Sequence, residues 1–444
     1  MRPRRALLAS PGIAALSWGA IAIACAASPE ADLTPTNTDP FGGQRDGGCQ
    51  GRGCKRAACS GAPTSIRGRV LDPAGRRPVY GAAVYVPIAE LHPIQSGATC
   101  RRCDELTVSA VVSALSDARG EFVLENVPVD TALPVVVELG SFRRTVEWNV
   151  APCVENSLPD GTLRLPRSTE EGEMPRIAVT TGGADSLECL LRGAGIADVE
   201  FVPGGPSTRH VHLFRGKGGG GLAGAPIPDA SSFWNALDSL RGYDVVALSC
   251  EGDEANETKG GDAPGARGAM HAYANAGGHV FATHFQRTWL QRSPFPDFQG
   301  IAEWGGAAVV GTTYDVDVSF PKGTAFSSWL TGVGASKTAG SIDLQGVTYS
   351  VGAVRRPSQS WIKRGEDGVR YFSFNTPLDA PPEAQCGRVV FGDLHVSGRG
   401  GGDFPASCGA ADAPLTPEQL ALEFLMFDAL ACVRDDRSLP VPPR

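Results

Sequence analysis

Basic charge is in short supply. Asp and Glu number 48 against 40 Lys and Arg, a formal net charge of -8. A nucleic-acid binder needs a basic face against phosphates, so no nucleic-acid partner is expected. Long hydrophobic runs are also lacking. Beyond residue 24 nothing approaches the ~18 apolar residues that cross a bilayer. The phosphate-binding pattern GxxxxGK[ST] is absent. The glycine run Lys217–Gly221 reads as a flexible loop, because no strand is expected before it to aim it at a phosphate. No cofactor is therefore expected. Turn residues, by contrast, are abundant. Gly (56) and Pro (34) together make about a fifth of the chain, against a usual ~12%, which predicts many turns and long loops. Hydrophobic residues at 42% still supply buried cores, and 444 residues allow roughly two to three domains.

The first residues read as an export signal. Arg2, Arg4 and Arg5 precede an apolar stretch from Ala6 to Ala24, broken at Ser10-Pro11-Gly12. Ala22-Ile23-Ala24-Cys25 resembles a bacterial lipoprotein signal, which implies a signal peptide over 1–25 and a lipidated Cys25 as the only membrane contact. Ala22 stands where Leu is usual. Plain cleavage near Ala26-Ala27 and a retained anchor are the alternatives, the last opposed by the Pro-Gly break. Residues 26–58 are rich in Pro, Thr, Asp and Gly without hydrophobic period, and read as a flexible tether.

Twelve cysteines suit an oxidising compartment. If Cys25 carries lipid, the eleven others leave at least one thiol free or paired between chains. Cys100-Arg101-Arg102-Cys103 has CxxC spacing. With no second CxxC nearby, a local loop disulfide is expected rather than a redox or zinc site.

Residues 59–166 alternate as short strands, at 65–71, 79–86, 121–124, 135–139 and 145–150, between turns such as Asp72-Pro73-Ala74-Gly75. That pattern predicts a small all-β sandwich. The order IRGRVLDPAGRRPVYGAAVYVP, then SDARGEFVLENVPV, resembles carboxypeptidase regulatory-like domains of the transthyretin-like class. The resemblance implies a non-catalytic spacer, stabiliser or binding module. Cys59 and Cys153 bracket the segment and can pin its ends. Pro87 to Ser109, with the CxxC, is an insertion.

A polar linker is expected at 167–175. From 176 to 434 strands and helices alternate, predicting an α/β domain with a doubly wound parallel sheet and ligands at the strands' carboxyl ends. Residues 435–444 read as a tail. Between about 300 and 385 the pattern is loop- and hairpin-rich and gives no clear thread. The last helix is well punctuated: Thr416 as N-cap, Pro417 at the first position, Gln419 closing a capping box, and Leu415 with Leu420 as a staple. YDVVALSCEG, MHAYANAGGHVFATHF and GRVVFGDLHV, in that order, are similar to the class I glutamine amidotransferase-like superfamily, a flavodoxin-like fold, in its ThuA-like branch. Amidotransferases carry a nucleophilic Cys in a Gly-x-Cys-x-Gly elbow. Here the corresponding strand ends in Ala282-Thr283-His284-Phe285, and Cys250 ends the earlier strand. Glutaminase chemistry is therefore not implied.

Three strand ends should converge, offering Cys250, His284, and Asp393 with His395. Such a set can make a nucleophile with its base or hold a divalent metal. The plainer alternative bonds Cys250 to Cys189 and leaves both histidines hydrogen-bonded in the sheet. Asp185 and Glu188 follow Gly182-Gly183 and favour a helix start by charge. His210 and His212 are expected at the surface. Trp289, Trp304, Trp329 and Trp361 fit either a sugar-stacking platform or core packing. The expected function is an exported, lipid-anchored binding or scaffold protein of the bacterial cell envelope, meeting an envelope protein or a glycan. The alternative is an exported hydrolase of carbohydrate or cell-wall material, acting through His284 and His395.

Overall fold

A computed structural model describes residues 52–103, 110–260, 265–306, 311–365, 368–396 and 401–443. The expected signal peptide, Cys25 and most of the tether lie outside the described residues. Among the described residues no helix is long and apolar enough to cross a membrane.

The first eight strands are β1 (Ser65–Leu71), β2 (Ala83–Pro87), β3 (Ala110–Leu115), β4 (Glu121–Glu125), β5 (Leu133–Leu139), β6 (Phe142–Trp148), β7 (Glu155–Ser157) and β8 (Leu163–Arg164). They form two four-stranded sheets. One has the order β4-β1-β7 with β8 also on β1, the other β3-β2-β5-β6. Ile66, Val70, Phe122 and Leu124 of the first sheet share one apolar cluster with Val84, Val86, Val135 and Val137 of the second. Alternation along β4 (half-buried, buried, exposed, buried, exposed) is the period-2 signature that made it legible.

Twelve more strands follow: β9 (Ile177–Thr181), β10 (Phe201–Pro203), β11 (Val211–Arg215), β12 (Val245–Leu248), β13 (His279–Thr283), β14 (Ala302–Trp304), β15 (Thr313–Val316), β16 (Ser341–Asp343), β17 (Val351–Val354), β18 (Gln359–Lys363), β19 (Val369–Thr376) and β20 (Gly387–Gly392). Ten of them make one sheet, in the order β10-β11-β9-β12-β13-β20-β19-β18-β15-β16. The run from β10 to β20 is parallel. From β20 onward every pairing is antiparallel. The large sheet is thus mixed, and the expectation of a wholly parallel one is corrected. The 300–385 region that resisted threading supplies this antiparallel extension, with a helix over Pro321–Gly332.

The strand β11 was also not expected. It directly precedes the glycine run, so that run is not simply a loop after a loop. Gly216 to Gly221 spells GxGxxG, yet no helix opens at its end; the next begins at Ala230. A phosphate there would lack the helix N-terminus that such a cradle uses.

The closing helix, Pro417–Leu430, has the capping box read from its sequence: Thr416 accepts from the Gln419 N–H and the Gln419 side chain accepts from the Thr416 N–H. Its Phe424 stacks on Tyr80 of the N-terminal part, with centroids 6.0 Å apart. Arg77 reaches across to Glu423 at 2.6 Å while also pairing with Asp72 at 2.9 Å. Trp329 donates its indole N–H to the Pro78 carbonyl at 2.7 Å. The apolar cluster of the two small sheets therefore runs on without a break into the large one. The segment 167–175 is fastened as well: Glu171 binds Arg164 at 2.6 Å and Arg167 at 2.8 Å.

Disulfides complete the joint. Cys59 bonds Cys153, as the bracketing suggested. The CxxC does not close on itself. Cys100 bonds Cys386 and Cys103 bonds Cys432, so a local loop disulfide is overturned. Cys189 bonds Cys408, which overturns a Cys189–Cys250 bridge and leaves Cys250 free. Bridges in this number belong to an oxidising compartment, extracellular or periplasmic. Alkylation in denaturant without reductant is expected to label Cys250 and none of these bridged cysteines; peptide mapping checks it.

Candidate functional site

The strands β9, β12, β13 and β20 are neighbours and run the same way, so their carboxyl ends open on one place. After β9 the chain turns through Gly182, where a Cβ would collide with the Cys250 carbonyl. Only glycine lets the two strand ends come this close. That turn delivers Asp185 to the base of the site, and the Ala184 N–H is tied to the Cys250 carbonyl at 3.0 Å. After β12 comes Cys250, whose N–H donates to the Thr283 hydroxyl at 3.0 Å. After β13 the chain bends at His284, which holds a φ of 41°. This left-handed conformation costs a non-glycine residue on the order of 1–3 kcal/mol, and it aims the imidazole across the strand ends. After β20 comes His395.

Cys250 Sγ lies 3.5 Å from His284 Nδ1. The rings of His284 and His395 are 5.1 Å apart, centre to centre. One ligand atom each from Cys250, His284 and His395 falls within 4.8 Å of the others. This is a set able to hold a metal ion. Cys250 is fully buried, while the histidines are half-buried. Burial pushes the thiol up to about 11, although the N–H groups of Phe285 and Gly252 favour its anion. Burial, then His395 and Arg287, pulls His284 down to about 3. The pair therefore rests as thiol and neutral imidazole, not as the charged pair of an activated nucleophile.

The acid of the site is Asp185, not Asp393. Asp185 is 0% exposed. Its Oδ1 accepts the N–H groups of Val396 at 2.8 Å and Ser186 at 2.9 Å. Burial raises its pKa, opposed chiefly by His395. Asp393 faces away from the cluster: it accepts the Ser350 N–H at 2.6 Å and the Thr348 hydroxyl at 3.1 Å, and so holds a loop. Glu251 is likewise committed, to a buried ion pair with Lys259 and to the Lys217 N–H at 2.7 Å.

Glu188, read as a helix-start acid, is buried beneath Asp185. Burial, with Asp185 adding to it, pushes its carboxyl up to about 8. In the unfolded chain it titrates near 4.5, so the fold holds an extra proton between those values. Its contribution to stability is complete below pH ~4.5 and is lost as pH climbs through 8. Glu188→Gln is expected to stabilise the fold at pH 8.5 by about 1–3 kcal/mol and to change little at pH 4.5. Thermal melts of parent and variant across pH check it; equal slopes would refute it.

Other expected positions lie elsewhere. Trp289, Trp329 and Trp361 are core residues and Trp304 is half-buried, so the stacking platform is overturned in favour of packing. His212 is buried, not exposed; its Nδ1 sits 2.7 Å from the Tyr243 hydroxyl. His210 is half-buried.

No family model matches the chain. No curated protein matches it. Among solved structures, a ThuA-like protein from Bacteroides uniformis ATCC 8492 is similar over 57% of this chain and 91% of its own, at 11% identity and a TM-score of 0.30. PurLQS from Thermotoga maritima is similar over 57% of this chain and 98% of its own, at 9% identity and a TM-score of 0.28. A type II cohesin–X-dockerin complex from Acetivibrio cellulolyticus is similar over 23% of this chain, at 15% identity and a TM-score of 0.15, and this chain spans 56% of that one. Likenesses this distant assign neither a family nor an activity. What the described residues define is a disulfide-bonded α/β protein with a large mixed sheet.

Proposed function

We propose that this chain is an exported cell-envelope protein, lipid-anchored through Cys25, with a binding or scaffold role. In this reading a carboxypeptidase regulatory-like sandwich over 59–166 is joined to a flavodoxin-like, amidotransferase-like domain over 176–434 that has lost glutaminase chemistry. The supporting observation is the bend after β13. His284 occupies it with a φ of 41°, where an amidotransferase would carry its nucleophile. The sulfur sits instead on the neighbouring strand end, at 0% exposure. A thiol without an open face cannot meet a glutamine side chain. The partner is an envelope protein or a glycan, and not a nucleic acid.

Two measurements test this. A glutamine analogue that alkylates glutaminase thiols is expected to leave Cys250 unmodified; stoichiometric modification would overturn the reading. Metabolic labelling with a fatty-acid analogue is expected to mark the parent but not Cys25→Ser, and an unlabelled parent would remove the anchor.

A second reading is an exported, metal-assisted hydrolase of carbohydrate or cell-wall material. It is favoured by the half-buried His284 and His395 beside Cys250. Hydrolysis of a glycan panel, lost in His284→Ala with His395→Ala, is its test.

A further inference from the structure

We propose that Cys250, His284 and His395 bind one zinc ion at the carboxyl ends of β12, β13 and β20, with its fourth position open to solvent. The donor set is the first argument. One thiolate and two imidazoles suit a borderline-soft divalent ion. The spacing is the second. A tetrahedral zinc with bonds of roughly 2.0–2.3 Å sets its ligand atoms about 3.3–3.7 Å apart. The Cys250–His284 pair already stands at 3.5 Å. The widest spacing in the set is within 4.8 Å, so side-chain rotation of about 1 Å closes it.

Two orphaned atoms are the third argument. His395 Nε2 is buried without a hydrogen-bond partner, and so is Asp185 Oδ2. Buried polar atoms of this kind ask for an explanation, and an ion between the histidines gives one for His395 Nε2. The Cys250 thiolate meets one of the two charges of zinc on binding. A carboxylate behind a ligating histidine is a common way to orient such a ring; Asp185 acts on His395 through charge, its Oδ1 being held by the Val396 and Ser186 N–H groups. Asp185 is a positioning residue here and not a ligand. Binding displaces one proton, from the Cys250 thiol to solvent; the imidazoles ligate through neutral lone pairs.

The open position follows from exposure. Cys250 closes the inner side, whereas both imidazoles are half-buried and keep some solvent contact. Three protein ligands with a water in the fourth place is the pattern of catalytic zinc; structural zinc has four. Such an ion lowers the pKa of its water or polarises a carbonyl. This inference goes beyond the envelope reading and stands apart from it, since its test reads metal and not location or partner.

The test is metal content of the full chain, purified with its disulfides intact, loaded with zinc and dialysed. One zinc per chain is expected by elemental analysis. Cobalt in its place should give tetrahedral ligand-field bands and a thiolate charge-transfer band. Cys250→Ser should abolish that band, and Cys250→Ser or His395→Ala should weaken zinc binding at least 100-fold. Asp185→Asn should weaken it about 10–100-fold. His92→Ala, on an exposed loop, should not change it. Azide should shift the cobalt bands through the open position. A parent that takes up neither metal at micromolar concentration overturns the site, as does undiminished binding in Cys250→Ser and His395→Ala. An unmoved spectrum with azide overturns the open position. Should a variant misfold, the parent decides alone: cobalt must give the thiolate charge-transfer band, zinc must displace it and a chelator must remove it, and no band refutes the proposal.

Discussion

Arg388→Met is expected to cost about 3–5 kcal/mol of folding stability, the loss typical of breaking a buried ion pair from one side. Arg388 is fully buried on β20. Its Nη2 binds Asp428 at 2.5 Å and Asp436 at 3.0 Å. Lys322 binds the same two carboxylates, each at 2.7 Å. Burial alone would raise Asp436; Arg388 and Lys322 overcome it and hold the carboxyl well below its usual range. Methionine fills much of the volume but leaves the two buried carboxylates bonded only by the Lys322 ammonium, with the Arg434 guanidinium acting on them through charge alone. The charge left over, not the lost contact, sets the cost. Adding Asp436→Asn to Arg388→Met should therefore recover part of the loss, because it removes the uncompensated charge. Urea denaturation of the three proteins measures this. A loss under about 1 kcal/mol, or no recovery in the double variant, would show that water relieves the network. Asp436 also belongs to the stretch read as a tail; the ion pairs tie that stretch to the sheet.

This network illustrates which features a sequence reveals. Local signals were legible. The Thr416–Gln419 capping box needs only four residues, and β4 advertises its exposed face by alternation. The Cys59–Cys153 bridge follows from two cysteines framing one folded segment. The carboxyl-end site was legible in three of its members, since Cys250, His284 and His395 each end an apolar run. Its acid was not. Asp185 meets the site through the Val396 N–H, 211 positions away, and that meeting depends on strand order. Asp393 reads as the acid because it stands two residues from His395, but its side chain turns to the Ser350 loop. The antiparallel extension was hidden for another reason. Residues of β19 are buried on both faces for most of its length, so period-2 contrast disappears. Likewise β11 is masked by His212, a polar residue made compatible with the interior by Tyr243.

Loss of both long-range disulfides is expected to unfold the chain at ambient temperature, whereas loss of either alone is survivable. Cys100–Cys386 and Cys103–Cys432 close loops of 286 and 329 residues. They tie the same two regions, starting three positions apart. With one bridge kept, the other adds only the short remaining circuit, mainly the stretch from 386 to 432. Chain entropy for that smaller circuit gives a cost of about 4 kcal/mol for either single removal. With neither, the circuit that Cys189–Cys408 leaves, roughly 110 residues, is released and about 5 kcal/mol more is lost, which together approaches the whole stability of an ordinary fold, roughly 5–15 kcal/mol. The Arg102 guanidinium, held by the Gln385 carbonyl at 3.0 Å between the two bridges, would lose its fixed partner at the same time. Serine pairs at each bridge, and at both, compared by urea midpoint, decide the matter. A doubly unbridged chain as stable as the single variants would mean that the apolar cluster, not the crosslinks, holds the small sheets to the large one.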